Sequence, residues 1–114
     1  MHDLTVATVH TALRGISQRQ RVIANNIANV ETPGFVAKKV SFEESLRAAV
    51  RSGAPEASSV AVAPTEAPAN LNGNNVQLDD ETLALVDSGL HYQLMVEAMN
   101  AKFGLLRTSI GKGF

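Results

Sequence analysis

Along the first thirty residues, apolar side chains recur in steps of three and four: Val6, Val9, Leu13, Ile16, Ile23, Ile27 and Val30, with Gln20 in the one polar slot. That spacing lines one face of an α-helix and cannot line one face of a strand, whose side chains alternate. Thr11, Arg14, Gln18, Arg21 and Asn25 fall on a different, polar face. The stripe is therefore a narrow heptad seam that asks for a helical partner. A helix over residues 4–30 is a rod about 40 Å long. Gly15 either weakens it, by about 1 kcal/mol relative to alanine, or admits a close neighbour.

A second long helix is expected from Asp79 onward. Asp79 or Asp80 can cap it, and Glu81 adds favourable charge in its first turn. Two apolar stripes then run side by side. Leu83, Val86, Leu90, Leu94, Ala98, Ala101 and Leu105 form one; Tyr92, Val96, Met99, Phe103, Leu106 and Ile110 form the other. A helix with two apolar seams needs more than one neighbour. One shorter N-terminal helix cannot cover both, so periodicity alone points to assembly.

The middle is less regular. Val36 to Phe42 suits extended chain, and Ser41-Phe42-Glu43-Glu44 reads as a capping box that starts a short helix through Arg51. Residues 52–70 are rich in Ala, Pro, Ser and Glu, with Pro55, Pro64 and Pro68 as breakers. Such a segment is expected to be mobile, or ordered only by neighbours. Asn72-Gly73-Asn74-Asn75 is a turn signal before Val76-Gln77-Leu78. The expected fold is all-α. A helix lies in residues 1–31 and another in 79–114, packed as a coiled-coil-like pair. Residues 32–78 form an irregular, partly disordered segment between them, with a short helix near 42–51.

Composition excludes several classes. The chain has 114 residues, room for one domain at most, and a net charge of −1. That balance offers nothing to duplex nucleic acid or an acidic bilayer. There is no cysteine for a disulfide or thiolate site, no apolar run near 18 residues, and no basic region before an apolar core at the start. His2, His10 and His91 are scattered, without carboxylates at zinc or triad spacing. Asp79-Asp80-Glu81 is explained by capping, Gly111-Lys112-Gly113 lacks the remainder of a phosphate loop, and Met95 and Met99 suit packing. No catalysis, cofactor or metal is expected.

The first helix must end within Ala24-Asn25-Asn26-Ile27-Ala28-Asn29-Val30-Glu31-Thr32-Pro33-Gly34-Phe35. Asparagine costs roughly 0.6 kcal/mol relative to alanine inside a helix, because its amide competes for backbone partners. Asn29 suits a left-handed C-cap, and Pro33-Gly34 the centre of a type II turn. In wording and order this string resembles the signature of the flagellar axial proteins, in which ANN-aliphatic-AN is followed by a short link and TPG-aromatic. The usual basic residue after the aromatic is Val36 here, with Lys38-Lys39 shortly after. Asn74-Asn75-Val76-Gln77-Leu78-Asp79-Asp80-Glu81, Tyr92-Gln93 and residues 102–110 resemble the closing helix of the cell-proximal rod proteins of that family. They are worded differently from the sister rod protein FlgC.

The resemblance implies a structural subunit of the basal-body rod that carries torque from the membrane ring to the hook and filament. It implies Asn25, Asn26, Ile27, Asn29, Thr32, Pro33, Gly34 and Phe35 as an assembly motif. It implies self-association, the rod partners FlgC, FlgF and FlgG, the adaptor FliE, the membrane-ring protein FliF and the flagellar type III export apparatus. The location would be the rod within the periplasm, reached without a cleaved signal peptide. Asn25, Asn26 and Asn29 are expected to hydrogen-bond backbone of the turn or of an adjacent subunit. Another rod subunit such as FlgC is the runner-up. A peripheral amphipathic membrane protein is the rival from another class, although Arg14 and Arg21 make a sparse basic face without Trp.

Overall fold

In the computed structural model, which describes residues 3–112, Asp3 starts the first helix. Its Oδ1 accepts the Val6 N–H at 3.1 Å, which satisfies one of the donors left free at a helix start. The helix, α1, spans Leu4–Ala28. His2, Gly113 and Phe114 lie outside the described residues. The end comes two residues before Val30, which sits in the following turn. Asn29 is the C-cap, but with φ −105°, not the left-handed conformation expected of it. No non-glycine residue among those described has positive φ. Asn29 instead caps by side chain, its Nδ2 donating to the Asn25 carbonyl at 2.8 Å. The expected Pro-Gly turn is present: Gly34 has φ +73°, and Phe35 N–H reaches the Thr32 carbonyl at 3.2 Å.

The middle departs from expectation. It is structured, and the fold is not purely helical. Strand β1 (Lys38–Ser41) leads into helix α2 (Glu43–Arg51), a 3-10 turn (Pro55–Ala57) and strand β2 (Ala61–Pro64). The strands pair antiparallel, Lys38 opposite Pro64 and Ser41 opposite Ala61. The capping box does not form. Ser41 is held in β1, so Phe42 is the N-cap of α2 and no side chain caps that end. Glu43 Oε1 accepts the Phe42 N–H at 3.2 Å. The Ala- and Pro-rich segment gains order through its backbone: Ser59 N–H donates to Ser45 Oγ at 2.8 Å, and Thr65 N–H to the Ala37 carbonyl at 2.9 Å. Pro64 is tolerated because β2 has only one partner strand.

The core sits where β1 and α2 press on α1. Ile16, Val40 and Phe42 are buried together, with Val22, Leu46, Val60 and Met95 packed around them. Phe42 lies so close to α1 that a Cβ at Gly15 would stand 2.7 Å from its ring. Of the two readings of Gly15, close approach is the observed one.

The last helix, α3, spans Leu78–Lys112, 35 residues and about 52 Å. It runs antiparallel to α1. Asn26, near the end of α1, reaches Glu81 at its start, while Asp3 meets Lys102 at 3.4 Å. Residues 103–112 therefore continue past the start of α1, and the molecule measures 68 × 26 × 14 Å.

Candidate assembly site

Ile23 faces inward on the penultimate turn of α1, and Asn26, one turn on, faces the same way. Asn26 is fully buried. Its Oδ1 accepts the Lys38 N–H at 3.0 Å and its Nδ2 donates to the Lys38 carbonyl at 2.8 Å. A carboxamide carries the same donor and acceptor as a peptide group. It therefore serves the outward edge of β1 as a further strand would. A third bond runs from Nδ2 to Glu81 Oε2 at 3.2 Å, joining the ends of both long helices.

Two more buried amides complete this junction. Asn74 Nδ2 donates to the carbonyls of Asn29 and Thr32 at 2.8 and 2.7 Å, and so ties down the two successive turns that follow α1. Its Oδ1 accepts the Val76 N–H at 2.8 Å. Asn75 Oδ1 accepts the Ala37 N–H at 2.7 Å, and its Nδ2 donates to Thr65 Oγ1 and the Ala67 carbonyl, both at 3.1 Å. The backbones also meet: Gly34 N–H donates to the Asn72 carbonyl at 2.8 Å, and Asn75 N–H to the Phe35 carbonyl at 3.2 Å. Gly73, at φ +83°, passes so near that a Cβ there would lie 3.2 Å from Gly34 Cα. Each of these buried amides is paired on both of its atoms, so none incurs the cost of an unsatisfied buried group.

A second set of contacts orients β1 and α2. Arg19 Nη2 donates to the Val40 carbonyl at 2.9 Å and to Glu43 Oε1 at 2.6 Å. Its guanidinium carbon lies 4.9 Å from the Phe42 ring centre, within cation–π range. The Arg19 hydrogen bond holds the Glu43 carboxyl at about 2, opposed in part by burial. These groups bind and orient chain. Neutral amides offer neither a nucleophile nor a proton donor of useful acidity.

The expected motif residues divide. Asn26 is at the centre of the junction. Asn25 is exposed, and Asn29 is occupied with its own helix end and with Thr32 Oγ1 at 3.0 Å. Ile27 and Phe35 are half-buried; Thr32, Pro33 and Gly34 are exposed. On the α1 seam Val9, Ile16 and Ile23 are buried and Leu13 half-buried. On α3, Val96 and Met99 are half-buried, whereas Leu83, Val86, Leu90, Tyr92, Phe103, Leu106 and Ile110 are exposed. The tightest α3 position is Ser88, 3% exposed, which neither apolar stripe includes. In the sequence Asn74 and Asn75 stand out as turn formers and as the start of the string that resembles the family's closing helix, with no buried role assigned to them. The signal in them is a pair of amides immediately before Val76, a residue that is itself buried.

The chain resembles known proteins along almost its whole length. A family profile described as "Flagella basal body rod protein" matches residues 10–35, the stretch that ends in the Pro-Gly turn. Flagellar basal body rod protein FlgB of Bacillus subtilis (strain 168) is 35% identical, over 96% of this chain and 95% of its own. FlgB of Escherichia coli (strain K12) is 31% identical over 88% of each chain. FlgB of Borreliella burgdorferi is 35% identical over 75% of this chain and 80% of its own.

Proposed function

Since this chain belongs to the FlgB family of flagellar basal body rod proteins, we propose that it is a structural subunit of the rod. It assembles by helix-to-helix packing into the shaft that carries torque from the membrane ring to the hook and filament. The observation that carries this reading is the identity to FlgB proteins across both long helices and the junction between them. The relatives do not favour the FlgC or peripheral-membrane alternatives. The physical logic agrees: a torque-bearing shaft needs wide contacts between subunits, and α3 exposes Leu83 at 70% and Leu90 at 57%. Exposed apolar surface of this extent marks interaction sites.

In this reading the neighbours are further copies of the chain, the rod proteins FlgC, FlgF and FlgG, the adaptor FliE and the membrane-ring protein FliF. The subunit passes through the flagellar type III export apparatus without a cleaved signal and works within the periplasm. It performs no catalysis and holds no cofactor. The asparagine junction sets the angle at which α3 leaves α1 and so the shape that neighbours meet. The test is removal of the gene from a flagellate host and its return on a plasmid. Cells lacking it should be non-motile, and basal bodies purified from complemented cells should contain the chain in the rod. Normal swimming without the gene would overturn the reading.

A further inference from the structure

Charge on the outward surfaces of the two long helices is arranged with the same period and opposite sign. On α1, Arg14 and Arg21 are exposed and stand one heptad apart, roughly 10 Å. Neither has a carboxylate within ion-pair distance among the described residues. They flank a groove of about 680 Å³ in which Leu13, Phe42, Val60 and Tyr92 are set among polar side chains, Glu56 included. On α3, Asp80 and Asp87 are exposed and also stand one heptad apart. They border a shallow depression of about 490 Å³ completed by Leu83, Ala84, Val86 and Leu90. Asp87 has only His91 nearby, at 3.8 Å, and Asp80 has no ion-pair partner among the described residues.

We propose that a second copy of this chain covers that acidic, apolar strip of α3 with its α1 groove, Arg14 opposite Asp87 and Arg21 opposite Asp80. The proposal rests on the rod reading above and specifies one contact within it. The pairing order follows from polarity. Within a chain α1 and α3 are antiparallel, and copies stacked with one polarity along a shaft keep that relation between neighbours. The lower-numbered arginine then meets the higher-numbered aspartate. Apolar burial between flanking opposite charges is the arrangement that fixes partner and register in paired helices. Because the two patches differ, a head-to-tail docking leaves one of each kind free, and that is how such a contact extends an array of copies.

The chain contains no cysteine, so introduced thiols report unambiguously. A copy with Arg14→Cys mixed with a copy with Asp87→Cys should form a disulfide-linked heterodimer on mild oxidation. Arg21→Cys with Asp80→Cys should do the same, while Arg14→Cys with Asp80→Cys should not. Charge reversal gives an independent reading by sedimentation velocity, with folding checked by circular dichroism. Arg14→Glu/Arg21→Glu and Asp80→Arg/Asp87→Arg should each lose self-association by about tenfold or more. Their mixture should regain association as an alternating array of the two variants, and the fourfold variant should associate again on its own. Heterodimers no more abundant than homodimers, wild-type association of either reversal variant, or no recovery in the fourfold variant would each overturn the contact. Failure here with the chain still present in purified basal bodies removes this interface and leaves the rod function standing. Absence from basal bodies removes the function itself.

Discussion

Replacing Asn26 by alanine tests whether the buried amide holds the two helices together. Two bonds to the Lys38 peptide and one to Glu81 are lost. The part-buried Lys38 N–H and carbonyl then lose their side-chain partner, and each such group left unpaired costs about 1–3 kcal/mol. Against this, alanine improves helix propensity by up to about 0.7 kcal/mol. The net expectation is a loss of about 2–3 kcal/mol. For a chain of this size that lowers Tm by about 8–15 °C, read by circular dichroism and by urea denaturation of the full chain. Asn25→Ala is the internal control. Asn25 is exposed, and its side chain makes only a marginal 3.5 Å contact with Asn29, so this change should be neutral or slightly stabilising. An Asn26→Ala protein within about 0.5 kcal/mol of wild type, or an Asn25→Ala protein equally damaged, would refute the junction as described.

Gly15→Ala should destabilise by about 1–3 kcal/mol through overpacking against Phe42, despite a propensity gain of about 1 kcal/mol; a raised midpoint in urea would show that Phe42 can move aside. Leu90→Asp should leave the melting curve of the isolated chain nearly unchanged, since Leu90 is exposed, while abolishing rods in purified basal bodies; intact rods would remove that position from any interface. The Arg19–Glu43 pair should give stability that depends on pH. The folded carboxyl lies at about 2, below its ordinary 4.5, so its contribution is complete above about pH 4.5 and is lost as pH falls through 2. Because the Glu43 side chain is half exposed, solvent screening limits it to about 1 kcal/mol or less. Wild type minus Glu43→Gln stability, measured by urea titration at several pH values, should shrink towards pH 2, and a difference flat across that window would refute the pair's role.

Much of this fold is legible in the chain because its causes are local. The three-and-four spacing of Val9, Leu13, Ile16 and Ile23 prescribes α1, and Pro33-Gly34 prescribes the turn whose glycine has φ +73°. The length of α3 is equally local, since no proline interrupts it. The wording of residues 24–35 and 74–81 carried the family as well.

Partners, by contrast, were set by tertiary structure. Asn26 and Lys38 lie 12 residues apart, Asn75 and Ala37 are separated by 38, and Asn26 and Glu81 by 55. No periodicity encodes such distances. Extended chain at β1 was legible in Val36 to Phe42, but β2 was hidden for a related reason: Ala61-Val62-Ala63-Pro64 has little apolar pattern of its own, and backbone pairing to β1 makes it a strand. Ser41 satisfied the capping pattern in sequence but was claimed by the same pairing. On α3, apolar spacing identified which residues want burial, yet not which side would receive it. α1 covers the face around Ser88 and leaves Leu83, Val86 and Leu90 outward. A helix sequence records how apolar positions repeat around an axis; only the placement of a second helix decides which of them are buried within the chain and which are left for its neighbours.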